Sequence, residues 1–199
     1  MDAKRAFDLC GATALLAVTA PVMVVSAAAV AAESRGGVFF RQERVGLHGE
    51  TFRIRKFRTM RPSAGGALVT VAGDNRVTRV GRLLRASKLD ELPQLIDVVE
   101  GRMSLVGPRP EVAKYVAQWP EELRDQILSV RPGITDPMSV EFRNESELLA
   151  QQDDPERYYV EVLLPRKAQG YAEYVANRSL VGDLRILLGT VRAVVTKRA

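Results

Sequence analysis

Asp90 and Glu91 stand side by side in Ser87-Lys88-Leu89-Asp90-Glu91-Leu92-Pro93-Gln94-Leu95, two carboxylates opening an apolar-periodic segment just after a run of arginines. Such a place suits an anionic substrate, with arginines to neutralise it and a carboxylate free to react. Leu92, Leu95, Ile96 and Val99 recur at three- and four-residue spacing. They predict an amphipathic helix ending near Gly101, with Asp90 as its N-cap and Glu91 in its first turn. Pro93 suits that turn and deletes the N3 donor that an N-cap Asp often engages, which leaves the Asp90 carboxylate less tied to backbone. The same acids would also serve as an ordinary helix N-terminus, where the dipole favours negative charge.

Two neighbouring elements must bring cations to this pair. Arg76, Arg79, Arg82 and Arg85 follow at three-residue spacing, with Val77, Val80, Leu83 and Leu84 as the apolar face, so a short helix carries a basic stripe toward the acids. Like charges on one stripe repel unless an anion joins them, although a solvated face or one lying on anionic lipid reads the same way. Downstream, Met103-Ser104-Leu105-Val106-Gly107-Pro108-Arg109-Pro110 reads as a short buried strand leading into a loop where two prolines clamp Arg109. A clamped guanidinium is preorganised for phosphate, or simply pairs with a nearby acid in a Pro-rich turn.

The remaining elements frame these. Val38-Phe39-Phe40 and Thr51-Phe52-Arg53-Ile54 read as short extended pieces, and Ser63 to Asn75 as a mobile surface loop. Glu111 to Val130 is helical in pattern with a break at Pro120; its Tyr115 and Trp119 suit either a headgroup interface or a core. Glu145 to Leu164 reads as helical with an interruption at Pro155. Val181 to Val195 places Leu184, Leu187, Leu188, Val191 and Val194 on one face, with Arg185, Arg192 and Lys197 within reach of phosphates, as a helix on a membrane or in a core would.

From residue 9 to residue 32 the chain carries no charge, enough for about 36 Å of helix and hence a membrane span. Three readings compete. A cleaved signal peptide would explain Lys4 and Arg5, but the run is longer than the usual ~7 to 15 residues and Asp8 interrupts its start. A straight span would put Lys4 and Arg5 across the bilayer from Arg35, Arg41, Arg44, Arg53, Arg55, Lys56 and Arg58, against the positive-inside rule. A helix broken at Pro21 that enters and leaves on one side satisfies both ends, with arms of about 18 Å each.

Composition narrows the classes. A chain of 199 residues suits one domain, 46% hydrophobic residues suffice for a core, and a net charge of +5 favours an anionic partner. One cysteine, Cys10, excludes an intrachain disulfide, and one histidine, His48, reads as an exposed turn residue rather than a metal ligand. Neither GxGxxG nor a P-loop occurs. Aromatic residues are only 6% and no basic-aromatic run is interleaved, so nucleic acid is not expected as a partner. A non-enzymatic, basic membrane-associated adaptor would use the stripe and the terminal helix, but leaves Asp90, Glu91 and Arg109 without a purpose.

Four blocks in this order, Lys56-Phe57-Arg58-Thr59-Met60, Leu89 to Leu95, Met103 to Pro110 and Arg131-Pro132-Gly133-Ile134-Thr135, resemble the monotopic phosphoglycosyl transferases, the bacterial sugar transferase family, of the small single-domain type. The resemblance runs through to Asp183-Leu184-Arg185-Ile186-Leu187-Leu188. It implies a mainly helical α+β fold: a re-entrant membrane helix over residues 1–35, kinked at Pro21, and a catalytic domain over 36–199 on the cytoplasmic face of the bacterial inner membrane. The family usually has Ser before this proline; Ala20 stands here, with Thr19 as a substitute hydroxyl. The implied reaction moves a sugar phosphate from a UDP-sugar to polyprenyl phosphate, releases UMP and initiates glycoconjugate or polysaccharide assembly. Asp90 matches the family nucleophile, which forms an acyl-phosphate, and Glu91 the metal-binding neighbour for Mg²⁺. Lys56, Arg85 and Arg109 match phosphate contacts, with Arg58 and Arg131 as further candidates. For the family's late acid before a tyrosine, both Asp154 and Glu156 remain open.

Overall fold

A single helix, α1 (Ala3–Glu33), takes up the apolar run and stays helical through Pro21. It is long and apolar enough to cross a membrane. Asp2 caps its start by accepting from Arg5 N–H. Pro21 has no N–H for the Ala17 carbonyl one turn back. Thr19 does not take that carbonyl over: its hydroxyl donates to Leu15 O at 2.7 Å.

The computed structural model describes residues 2–34, 36–61 and 69–196, so the expected loop lies partly outside the described residues, as do Arg35 and Lys197. After α1 the chain forms an antiparallel hairpin, β1 (Phe39–Val45) and β2 (Thr51–Phe57), with Val45 opposite Thr51 and Phe39 opposite Phe57. These strands run past the two short extended pieces expected, because the arginines at 41, 44, 53 and 55 interrupt the apolar pattern without interrupting the ladder. The exposed His48 turns the hairpin at φ 55°.

The basic stripe becomes α2 (Arg79–Ala86), capped by Thr78. Arg76 lies before it and is chelated by Asp74, so three arginines, not four, ride the helix. Gly81 presses α2 onto β2's continuation: a Cβ there would lie 2.2 Å from Thr59 O. The next helix, α3 (Gln94–Val99), starts later than its periodicity suggested. Asp90 is not its N-cap but sits inside a preceding 3₁₀ turn, Leu89–Glu91, entered through Lys88 at φ 57°. That turn sets the two carboxylates apart from the helix backbone, so neither is used as a cap.

Buried β3 (Ser104–Val106) pairs in parallel with β4 (Gly133–Thr135). The pairing requires Gly133, whose Cβ would come within 2.1 Å of Gly107 N. Between these strands lie α4 (Ala113–Val116) and α5 (Glu121–Leu128), separated at Pro120. Tyr115 and Trp119 are core residues, not headgroup anchors, each 3% exposed. Then follow α6 (Pro137–Glu141), α7 (Glu145–Ala150) and α8 (Pro155–Tyr158). The helical interruption expected at Pro155 falls before it, and Pro155 opens α8 with Asp154 as the cap. A π-helical turn, Tyr159–Leu163, leads into α9 (Leu164–Asn177), where Pro165 can give no N–H to a tighter turn. Amphipathic α10 (Leu180–Thr196) ends the described chain.

Two packing groups build most of the core. One gathers Tyr115, Trp119, Ile127, Tyr159, Leu163 and Tyr171. The other joins Ala12 of α1 to Ile54, Leu95, Val98, Met103 and Leu105, with Ile134 and Leu187 packed against it. A smaller one packs Val30 of α1 on Phe57 and Leu84. The fold is thus mainly helical α+β with a long apolar N-terminal helix, consistent with a membrane-anchored domain.

Candidate active site

A cleft of about 970 Å³ opens along the seam between these packing groups, with Lys56, Arg58, Arg85, Asp90, Glu91 and Arg109 among its lining residues. Residues from β2, α2, the 3₁₀ turn and the loop after β3 meet there although they are far apart in sequence. Lys56 Nζ and Arg109 Nη2 both donate to Oε1 of Glu91, each at 2.9 Å. Arg109 is therefore both clamped by its prolines and paired with an acid. Arg85 is steadied by Thr59, whose hydroxyl accepts from its Nε at 2.9 Å. Arg58 lines the cleft while donating to the Gly37 and Phe39 carbonyls.

The two carboxylates sit in opposite electrostatic states. Asp90 is 8% exposed, and its Oδ1 is buried without a hydrogen-bond partner among the described residues. Burial, then the adjacent Glu91 charge, pushes its pKa above the ordinary value, against the pull of Lys56, Lys88 and Arg85. Burial also opposes the Glu91 charge, but Arg109 and Lys56 outweigh it and hold that carboxyl well below the usual range. Glu91 in turn keeps Arg109 firmly protonated. One acid is committed to cations; the other carries a free oxygen.

Three expected residues are not brought to this point. Arg131 turns away and donates from Nε to Gly101 O at 2.8 Å, tying β4's approach to the end of α3. Asp154 caps α8 through Arg157 N–H, and Glu156 pairs with Lys114. Neither acid lines the cleft. The block 153–159 contributes Tyr159 instead, whose hydroxyl donates to Glu111 Oε1 at 2.8 Å. Arg44 donates to the other Glu111 oxygen at 3.2 Å, and Lys167 pairs with Glu145 above the Tyr159 ring. This polar wall went unnoticed in the sequence. Glu111 directly follows the Pro-Arg-Pro clamp and Tyr159 closes the acid-rich block at 153–159, which were the available signals; Lys167 carries none.

Chemically, a cation-rich cleft with one unpartnered buried carboxylate oxygen can bind a diphosphate and attack it. The model of the bacterial sugar transferase family matches residues 1–197. The chain belongs to that family. It is 41% identical over 200 residues to a UDP-glucose:undecaprenyl-phosphate glucose-1-phosphate transferase of Caulobacter vibrioides, covering 97% of this chain and 70% of that one. It is 36% identical to a UDP-N-acetylgalactosamine-undecaprenyl-phosphate N-acetylgalactosaminephosphotransferase of Aeromonas hydrophila, covering 97% of this chain but only 44% of the relative. An exopolysaccharide production protein of Rhizobium leguminosarum is 35% identical, with 98% and 96% covered. This sugar transferase is therefore an enzyme of the phosphoglycosyl transferase type, not a basic adaptor.

Proposed function

We propose that this sugar transferase moves a sugar 1-phosphate from a UDP-sugar to undecaprenyl phosphate, releasing UMP, through a covalent intermediate on Asp90. The Asp90 oxygen attacks the β-phosphorus, the bond from that phosphorus to the bridging oxygen breaks, and UMP leaves with the electron pair. An oxygen of the polyprenyl phosphate then attacks the same phosphorus and expels Asp90, giving a polyprenyl diphosphate sugar that primes polysaccharide assembly. The carrying observation is the buried Asp90 oxygen without a partner, set among Lys56, Arg85 and Arg109. Glu91 acts by fixing Lys56 and Arg109 where the phosphates arrive. That these cations face a carboxylate already explains how a second anion is tolerated beside it.

Mg²⁺ fits this site: among the described residues no group of three acids or histidines gathers, but Mg²⁺ needs only one or two carboxylates plus substrate phosphates. Glu91, whose Oε1 alone is taken by Lys56 and Arg109, would hold it together with the substrate phosphates, and it would supply neutralisation of diphosphate charge.

The catalytic domain lies on the cytoplasmic face, and α1 enters and leaves the bilayer on that side. Support comes from where α1 is docked. Near its start, Arg5 donates to the Val98 and Val99 carbonyls, and Asp8 accepts from Leu105 N–H. Near its end, Val30 packs on Phe57 and Leu84, and Glu33 accepts from the N–H groups of Arg79 and Val80. Both ends thus hold one domain, while Val18, Val24 and Val25 between them are exposed.

The test is UMP release from a panel of UDP-sugars with Mg²⁺, with and without undecaprenyl phosphate. The expected result is acceptor-dependent turnover, with Asp90→Asn slower by roughly 10³-fold or more. Near-normal turnover by that variant would remove Asp90 as nucleophile.

A further inference from the structure

The cleft has two unlike walls. Arg44, Glu111, Tyr159 and Lys167 make one of them polar and aromatic. Leu15, Leu92, Leu105, Ile134, Leu187 and Val191 make the other, with no charge among them. They come from α1, the turn after Glu91, β3, β4 and α10, and four of them belong to the packing group that joins α1 to the domain. Thr135 of β4 and Thr190 of α10 share a hydrogen bond at 2.7 Å, which holds the terminal helix against this wall.

The wall continues outward onto apolar surface. Leu15 is 43% exposed and Val191 61% exposed. On α1 the exposure goes on through Val18 and Val22, and on α10 through Leu184 and Leu188. Apolar surface therefore runs from the residue beside Glu91 to the outer faces of two helices, which water would solvate poorly. A nucleotide sugar, polar throughout, makes no use of such a wall. An amphiphile with a phosphate head does: its anion is drawn to Lys56 and Arg85, and its hydrocarbon follows the leucines outward.

We infer that this wall, floored by β3 and β4 and bounded by α1 and α10, binds the first isoprene units of the polyprenyl phosphate acceptor. This rests on the transferase reading above. It makes α10 part of the acceptor site and not only a surface helix, and gives the acceptor and the nucleotide sugar separate walls of one cleft.

The experiment fills the wall with Leu187→Trp and measures KM for undecaprenyl phosphate at saturating UDP-sugar. The expected rise is roughly tenfold to a hundredfold, the effect of excluding one or two branched hydrocarbon units from apolar contact. UMP released in a single turnover without acceptor reports whether the variant is folded. An unchanged KM in a folded variant overturns the inference. If the variant releases no UMP, wild-type enzyme photolabelled by a polyprenyl phosphate carrying a diazirine in its first isoprene unit decides: label on residues 9–17 or 180–193 supports the wall, and label confined elsewhere overturns it. Absence of UMP from the wild type with every donor would instead defeat the transferase reading itself.

Discussion

Adjacent in sequence and opposite in state, Asp90 and Glu91 show how one dipeptide yields an unpartnered carboxylate and a fixed one. Both are sheltered, so burial disfavours both charges; what separates them is that two cations contact Glu91 Oε1 and none contacts Asp90 Oδ1. The signs give a pH prediction. Lys56 favours ionised Asp90, so Lys56→Met lets Asp90 bind its proton more tightly, and the acid limb of kcat/KM moves to higher pH. Glu91 disfavours ionised Asp90, so Glu91→Gln moves the same limb down. Profiles that coincide for both variants would mean that another group sets the limb. Burying the Asp90 charge also costs stability, with a definite sign: a carboxyl whose pKa is raised on folding destabilises as pH rises through that raised value. Asp90→Asn should thus raise Tm in detergent at pH 7 by on the order of 3 °C, a gain that shrinks toward pH 4, measurable by thermal unfolding at both pH values.

Among elements, the short arginine helix α2 is the one most tightly specified by its neighbours. Its N-terminus is closed by Thr78 and by the Glu33 carboxylate from the end of α1, and Gly81 lets it lie directly on the Thr59 carbonyl. Thr59 also steadies Arg85, so the spacing between α2 and β2 governs where that guanidinium points. Gly81→Ala must push the helix off Thr59. It should cost about 1–3 kcal/mol, the range for overpacking, and lower turnover more than it weakens membrane binding; denaturant unfolding and liposome flotation would show both. The helical pattern of residues 79–86 was legible because apolar and basic residues separate cleanly at 3.6-residue spacing. Helix α9 was not delineated, because its buried face mixes Lys167, Gly170, Ala168 and Ala172 with Tyr171 and Tyr174, so no stripe of large apolar residues stands opposite the exposed Arg166, Gln169 and Glu173 to mark a period.

For the whole molecule, the decisive relation is between the long apolar helix α1 and the domain that grips both of its ends. A latch closes the first end: Lys4 bridges buried Asp8 to buried Asp183 of α10, and Tyr174 donates to Asp183 at 2.8 Å. In a Cys10→Ser background, Ala3→Cys and Arg41→Cys should both resist a membrane-impermeant maleimide in intact spheroplasts and both react after lysis. Labelling of one before lysis would make α1 a span. By itself the sequence determined the apolar run, the carboxylate pair, the arginine stripe, the Pro-clamped Arg109 and the buried strand before it, because each is a local pattern of residue types at a fixed spacing. Tertiary structure alone decided that Glu91 is taken by Lys56 and Arg109 while Asp90 keeps an open oxygen. It also sent Arg131 to the Gly101 carbonyl and brought Tyr159 to Glu111. Those outcomes are pairings between residues 18 to 48 positions apart. No local period encodes which partner a charged or hydroxyl group meets once strands and helices have been packed.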